Sequence, residues 1–406
     1  MKTSTHFLQW LTVVLLLAVN VMETMAADPS DPTSPHSVCL NYFEPYGVNL
    51  TTLSTYAWTI SDPSAGTIIP GATPNLITVN WKKTGNYTLQ VIETNVHGCV
   101  GLPVTIDVVV NPLPMITNKT ATICSGDTFT ESPVNVTDIV PTGTTYTWSE
   151  PVAAGITGLA SGTGAQKISG TLINTTNAPI VVVYNVTPKS GNCPGATFTV
   201  TVTVNPKPTV TNKPITTICS TETFTISPVN NATDIVPAVT TYTWNEPVAV
   251  GITGLASGSG ALNISGTLTN TTNAAITVVY TVTPTSGTCV GASFTVTVRV
   301  NPKATIADKT PAAICSGGGF TVSPNGTDIV PAFTSYTWSE PVAVGITGLA
   351  SGSGAATISG TLINTNNAPV DVIYTVTPTS GTCSGANFTV TVRVYPRVNT
   401  SQIYHN

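Results

Sequence analysis

The sequence predicts an all-β chain in which four small β-sandwich bodies follow one another behind an N-terminal signal peptide. Three observations carry that expectation. The twenty residues from Tyr242 to Ala261 recur with few changes at 146–165 and at 336–355. Trp148, Trp244 and Trp338 are 96 and 94 residues apart, and so are Cys193, Cys289 and Cys383. Between these landmarks apolar and threonine positions alternate with a period of two, the pattern of strands with one covered and one wetted face. A period near 95 residues exceeds a solenoid rung, and about 100 residues is enough for one core that folds by itself.

Taken in order, Met1 to about Ala27 has Lys2 near its start, an apolar run from Phe7 to Val21 and small residues at Ala26 and Ala27. That is the pattern of a secretory signal peptide, and the run is short for a membrane-spanning helix. Residues 28–37, with Pro29, Pro32 and Pro35, read as a flexible leader. The first module is assigned to 38–111, and its clearest strand begins at Tyr87, after turn chemistry at Gly85 and Asn86. The second, third and fourth modules are assigned to 112–205, 206–301 and 302–396, and 397–406 is a C-terminal tail. In the third, Ile276, Val278, Tyr280 and Val282 share one face, with Thr277, Thr281 and Thr283 on the other. Phe294 to Val300 alternates in the same way, and Pro284 to Gly291 between them reads as a hairpin loop placing Cys289 at the start of the last strand. The joints Val110-Asn-Pro, Val204-Asn-Pro and Val300-Asn-Pro lack a Gly/Ser run, so a semi-rigid rod is expected.

Charged residues are scarce: 13 basic and 18 acidic side chains make up 8% of the chain, with a net charge of −5. A thin negative charge offers no basic face for phosphate backbones and no polybasic patch for lipid headgroups. Nucleic acid is therefore not an expected partner, and no later segment is long and apolar enough to span a membrane. No oligomer is expected.

The eight cysteines, Cys39, Cys99, Cys124, Cys193, Cys219, Cys289, Cys315 and Cys383, fall two to a module. Duplication of one unit favours a bond within each module, and such bonds persist in an oxidising compartment. There is no Cys-x-x-Cys pair to suggest zinc.

The second module contains, in order, Ile123-Cys-Ser-Gly, Tyr146-Thr-Trp148, Ser169-Gly-Thr-Leu-Ile-Asn, Val183-Tyr-Asn-Val-Thr-Pro188 and Cys193-Pro-Gly followed by Phe198-Thr-Val-Thr-Val-Thr-Val. Together these runs resemble the PKD-like, immunoglobulin-like modules found in tandem on secreted and cell-surface proteins of Bacteroidota-type bacteria. Similar runs recur in the third and fourth modules. The first is similar at a greater distance, through Tyr56-Ala-Trp58 and Trp81 to Val91. The resemblance implies immunoglobulin-like β-sandwiches with a spacer or adhesive role.

Residues with chemical potential have plain structural readings. Tyr146 with Trp148, Tyr242 with Trp244, and Tyr336 with Trp338 sit two apart on one strand face, which suits core packing better than a sugar-stacking platform. Gly155, Gly158, Gly162 and Gly164 lack the lysine and helix of a phosphate loop and read as turn residues. Asp138 with Glu150 recurs as Asp234 with Glu246 and Asp328 with Glu340, the candidates for a paired-carboxylate or calcium site, although calcium wants six to eight oxygens. No histidine occurs between His97 and His405, so the long modules offer no Ser-His-Asp or Cys-His arrangement. Sequons at Asn86, Asn174, Asn270 and Asn325 follow from a composition rich in Asn and Thr.

The sequence thus points to a non-enzymatic secreted or cell-surface rod, without cofactor or metal, acting as spacer or adhesin. The alternative is a module array that binds extracellular glycans or proteins through its Gly-rich loops.

Overall fold

Valine and threonine are β-branched and stiff at χ1, and they alternate here over runs of eight to eleven residues, so the chain forms strands that must bury one face. The computed structural model describes residues 35–398 together with Gln402, Ile403 and His405. The expected signal peptide and most of the expected leader lie outside the described residues. Every regular element within them is a strand.

The third module shows the plan. Its larger sheet runs in the order Thr216–Cys219, Phe294–Asn301, Ile276–Ser286, Thr241–Trp244, Gly258–Ala261, and the short strand Cys289–Val290 folds back on Ile276–Ser286. The facing sheet is Glu222–Ile226, Ile264–Asn270 and Ile252–Thr253. The first strand lies parallel to the last, Cys219 opposite Asn301, and the remaining pairings are antiparallel. The fourth module repeats this order, and the second does so with its facing sheet split into two strand pairs. The first module is simpler: His36–Cys39, Val104–Asn111, Gly85–Thr94 and Thr55–Ile60 face Phe43–Gly47, Leu76–Trp81 and Gly66–Pro70. Its strand Gly85–Thr94 includes Gly85 and Asn86, expected as turn residues, because both pair with the last strand, at Val110 and Val109.

Each module closes over its own apolar cluster, and the four clusters are separate. In the third module the inward alternation expected from the sequence buries Val278, Tyr280, Val282, Phe294, Val296, Val298 and Val300. Each such side chain contributes about 1.5–3 kcal/mol when removed from water. Tyr146, Trp148 and their repeats lie in these cores, so the packing reading of the aromatic pairs holds. The indole N–H of Trp244 donates to the Ala256 carbonyl at 3.0 Å. Gly258 lies flat against the Trp244 ring, where a β-carbon would collide with it.

The hairpin differs from expectation by one element. Gly287, at φ 58°, turns the chain between Ser286 and Cys289, so Cys289 sits in its own two-residue strand and the last strand starts only at Phe294.

The within-module disulfide pairing is corrected. Bonds join Cys39 to Cys193, Cys124 to Cys289 and Cys219 to Cys383, each crossing from one module to the next, while Cys99 and Cys315 are free. Strand direction explains why. In the second module Cys124 lies opposite Asn205, the end of the last strand, whereas Cys193 lies opposite Ser190. Ile180 pairs with Val204, so the stretch Ile180–Ser190 separates the two cysteines. At about 3.3 Å per residue that is roughly 33 Å. Disulfide-bonded Cα atoms are usually within about 7 Å. The two cysteines of one copy therefore occupy opposite poles, and all but Cys99 and Cys315 are bonded to a cysteine of a neighbouring copy.

Candidate functional site: the joint between modules

The joint is built where the last strand of one module ends. At that pole the first strand also ends, on Cys39, Cys124 or Cys219, and the hairpin of the following module brings Cys193, Cys289 or Cys383 to it. Cα separations of 5.5, 5.5 and 5.6 Å at the three joints show one geometry used three times. Five of the six bonded cysteines are buried, whereas Cys99 and Cys315 are exposed.

The linker is pinned as well. Pro114, Pro208 and Ala304 present their carbonyls to Gly195, Gly291 and Gly385, two residues beyond the bonded hairpin cysteine, and any β-carbon there would collide with them. Met115 and Ile139 exchange backbone hydrogen bonds of 2.9 and 2.7 Å, as do Thr209 with Ile235 and Thr305 with Ile329.

Beside this contact lies a buried carboxylate. Asp138 Oδ1 accepts from the Thr117 amide and hydroxyl, both at 2.9 Å, and Oδ2 accepts from Lys119 Nζ at 2.7 Å. Asp234 receives Thr211 and Lys213 in the same way, and Asp328 receives the Ala307 amide at 3.1 Å and Lys309 at 2.6 Å. Burial works to raise these carboxyls, but the lysine ammonium and the donated hydrogen bonds outweigh it. All three are held below the usual range, Asp234 at about 2. Each aspartate thus ties the segment following a joint to the body of its own module.

These placements settle several candidates. Asp138 and Glu150 flank the strand Thr144–Trp148, the first buried in its ion pair and the second exposed, so they form no paired-carboxylate site. The same holds for Asp234 with Glu246 and Asp328 with Glu340. Among the described residues no group of three His, Cys, Asp or Glu is placed to hold a metal ion. Gly155, Gly158 and Gly164 hold positive φ, as turn residues do, and Gly162 accommodates the Trp148 ring. His97 is exposed on the turn that leads to Cys99. The sequon residues Asn174 and Asn270 are buried, and their amides donate to Val204 and Val300, both at 2.9 Å. Asn364 does the same to Val394 at 2.8 Å.

A second exposed feature lies off the joint. The Glu-Pro-Val loops leave Val152, Val248 and Val342 almost fully exposed, and a shallow groove of about 360 Å³ runs beside one of them, lined by Thr243, Trp244, Asn245, Glu246, Pro247 and Val279. Phe333 is 97% exposed at φ 60°, in a turn where the second module has Gly143 and the third Val239. Non-glycine residues reach such backbone angles at a cost of about 1–2 kcal/mol.

Sequence reasoning missed Lys119, Lys213, Lys309 and the buried asparagines. The lysines recur two residues after Thr117, Thr211 and Ala307, in a chain with only 13 basic residues, and that recurrence was the available signal.

Facing β-sheets, a first strand parallel to the last and one core per repeat define an array of immunoglobulin-like sandwiches. A family model described as the PKD-like domain matches residues 121–208, 216–304 and 312–398, well over half of the chain. The chain belongs to the PKD-like domain family. The first module lies outside the matched residues. No curated protein matches the sequence. Among solved structures, the insect immune protein hemolin is similar at 13% identity, covering 89% of this chain and 98% of its own, with a TM-score of 0.28. Drosophila N-cadherin EC1-4 is similar at 13% identity, with 90% and 99% covered and a TM-score of 0.22. The family assignment rests on the family model and not on these weak whole-chain superpositions.

Proposed function

We propose that the chain is a non-enzymatic extracellular structural rod of four modules, at 38–111, 112–205, 206–301 and 302–396, acting as a spacer that holds surfaces apart or presents its loops. The observation that carries this reading is the joint: three successive modules are each fixed to the one before by a disulfide, while a glycine seat and a buried Asp–Lys pair hold the segment after the joint to its own module. Disulfides persist in oxidising compartments, which supports an extracellular location. Among the described residues no helix is long and apolar enough to cross a membrane.

Small-angle scattering tests the rod. Four bodies of about 33 Å each give a length near 130 Å and a radius of gyration of about 38 Å. A compact globule of this size would give about 21 Å, and that value would refute the proposal. A second reading, protein or glycan binding, is favoured by the exposed valines of the Glu-Pro-Val loops and by Phe333 in its strained turn. Retention of a ligand by the intact chain, abolished by Phe333→Ser, would support it.

A further inference from the structure

Cys99 and Cys315 are the two halves of a joint that the chain does not complete within itself. Cys315 lies opposite Tyr395, the last residue of the final strand, as Cys39, Cys124 and Cys219 lie opposite Asn111, Asn205 and Asn301. Cys99 precedes the last strand of its module by the same five residues as Cys193, Cys289 and Cys383, counting to Val104, Phe198, Phe294 and Phe388. The two thiols therefore differ in kind. One has the place of every cysteine that reaches forward to the next module, the other that of every cysteine that reaches back.

We propose that Cys315 of one copy and Cys99 of a second copy form a disulfide, so that the chain polymerises head to tail with the joint it already uses three times. Both surroundings fit a covered contact. Val96, Val100 and Leu102 flank Cys99 with their side chains exposed, and Tyr395 is exposed opposite Cys315. At the internal joints the corresponding hairpin cysteines are 1% exposed. The bond forms by exchange with a small disulfide such as oxidised glutathione. A thiolate of one cysteine attacks it, releasing one thiol, and the second cysteine displaces the other, so two protein thiols are oxidised and one small disulfide is reduced to two thiols. This extends the rod reading without altering it, since a rod that remains single is still a rod.

The test uses the full chain in a glutathione redox buffer, read by non-reducing electrophoresis and by mass spectrometry of the cross-linked peptides. The expected result is a ladder of multimers, collapsed by reductant, whose new linkage joins Cys99 to Cys315. Cys99→Ser alone and Cys315→Ser alone stay monomeric, while an equal mixture of the two gives a single dimer band. Both positions are exposed, so neither change disturbs a core, and circular dichroism confirms the fold. Cys99–Cys99 or Cys315–Cys315 linkages, or a mixture that stays monomeric with its thiols free or capped by glutathione, would overturn the proposal. Scattering from that monomer separately tests the rod.

Discussion

Replacing Cys124 and Cys289 with serine removes the bond between the second and third modules and should act on those two alone. When the second module unfolds between folded neighbours, its chain from Cys124 to the joint at Pro208 is a closed loop, because Gly291 holds Pro208 beside Cys289. Because Cys193 stays bonded to Cys39, the shortest circuit the bond closes runs from Asn111 to Cys124 and from Cys193 to Pro208, about 28 residues in all, and the chain-entropy model assigns its closure about 3.6 kcal/mol. The third module, unfolding alone with Cys219 bonded to Cys383, closes a circuit of similar length. Hydrogen exchange read by mass spectrometry resolves the modules separately. Amides in Phe198–Asn205 and Phe294–Asn301 should lose protection by roughly three decades, since 1.36 kcal/mol is one decade. Amides in Phe388–Tyr395, whose module keeps its Cys219–Cys383 bond, should keep theirs. An equal loss in all modules, or none in the second and third, would show that the bonds do not act through the joints.

Two further outcomes follow from the site and the core. The depressed Asp138, Asp234 and Asp328 carboxyls contribute stability that is complete above the unfolded carboxylate pKa near 4 and is lost as pH falls toward the folded value, about 2 for Asp234. Thermal midpoints should therefore drop between pH 4 and 2, and less so in Asp234→Asn; an identical pH profile for that variant would contradict the assignment. Gly258→Ala forces a methyl into the Trp244 ring and should cost about 1–3 kcal/mol by overpacking, measured by urea unfolding followed at that tryptophan. An unchanged midpoint would mean that the ring has room to move.

The strands were legible because β-branched alternation specifies a face without reference to anything distant. Val278, Tyr280 and Val282 face inward for reasons contained in a few neighbouring residues. The joint was not legible, because period-two patterning says which side a residue faces and nothing about which end of a sandwich it reaches. Cys124 and Cys193 share a module in sequence, and only the parallel pairing of first and last strands sends them to opposite poles. Asn174 was hidden for a similar reason. As a sequon it looks like a surface residue, but its amide serves the Val204 carbonyl from inside the sandwich.

The staggered cystines also govern how far the chain can be pulled. From Asn111 at the end of the first module, the backbone needs only 13 residues to reach Cys124, and from there the bond to Cys289 leads into the third module. If the second module came apart under tension, that shortcut would go taut at about 45 Å, little more than the folded module's own length. Without that bond and without the Cys39–Cys193 bond, which gives a second short path from the first module through Cys193 to Asn205, the chain from Asn111 to Asn205 would pay out to roughly 330 Å. The array therefore resembles a strap with a fixed maximum length, in which a broken unit yields slack of the order of one nanometre.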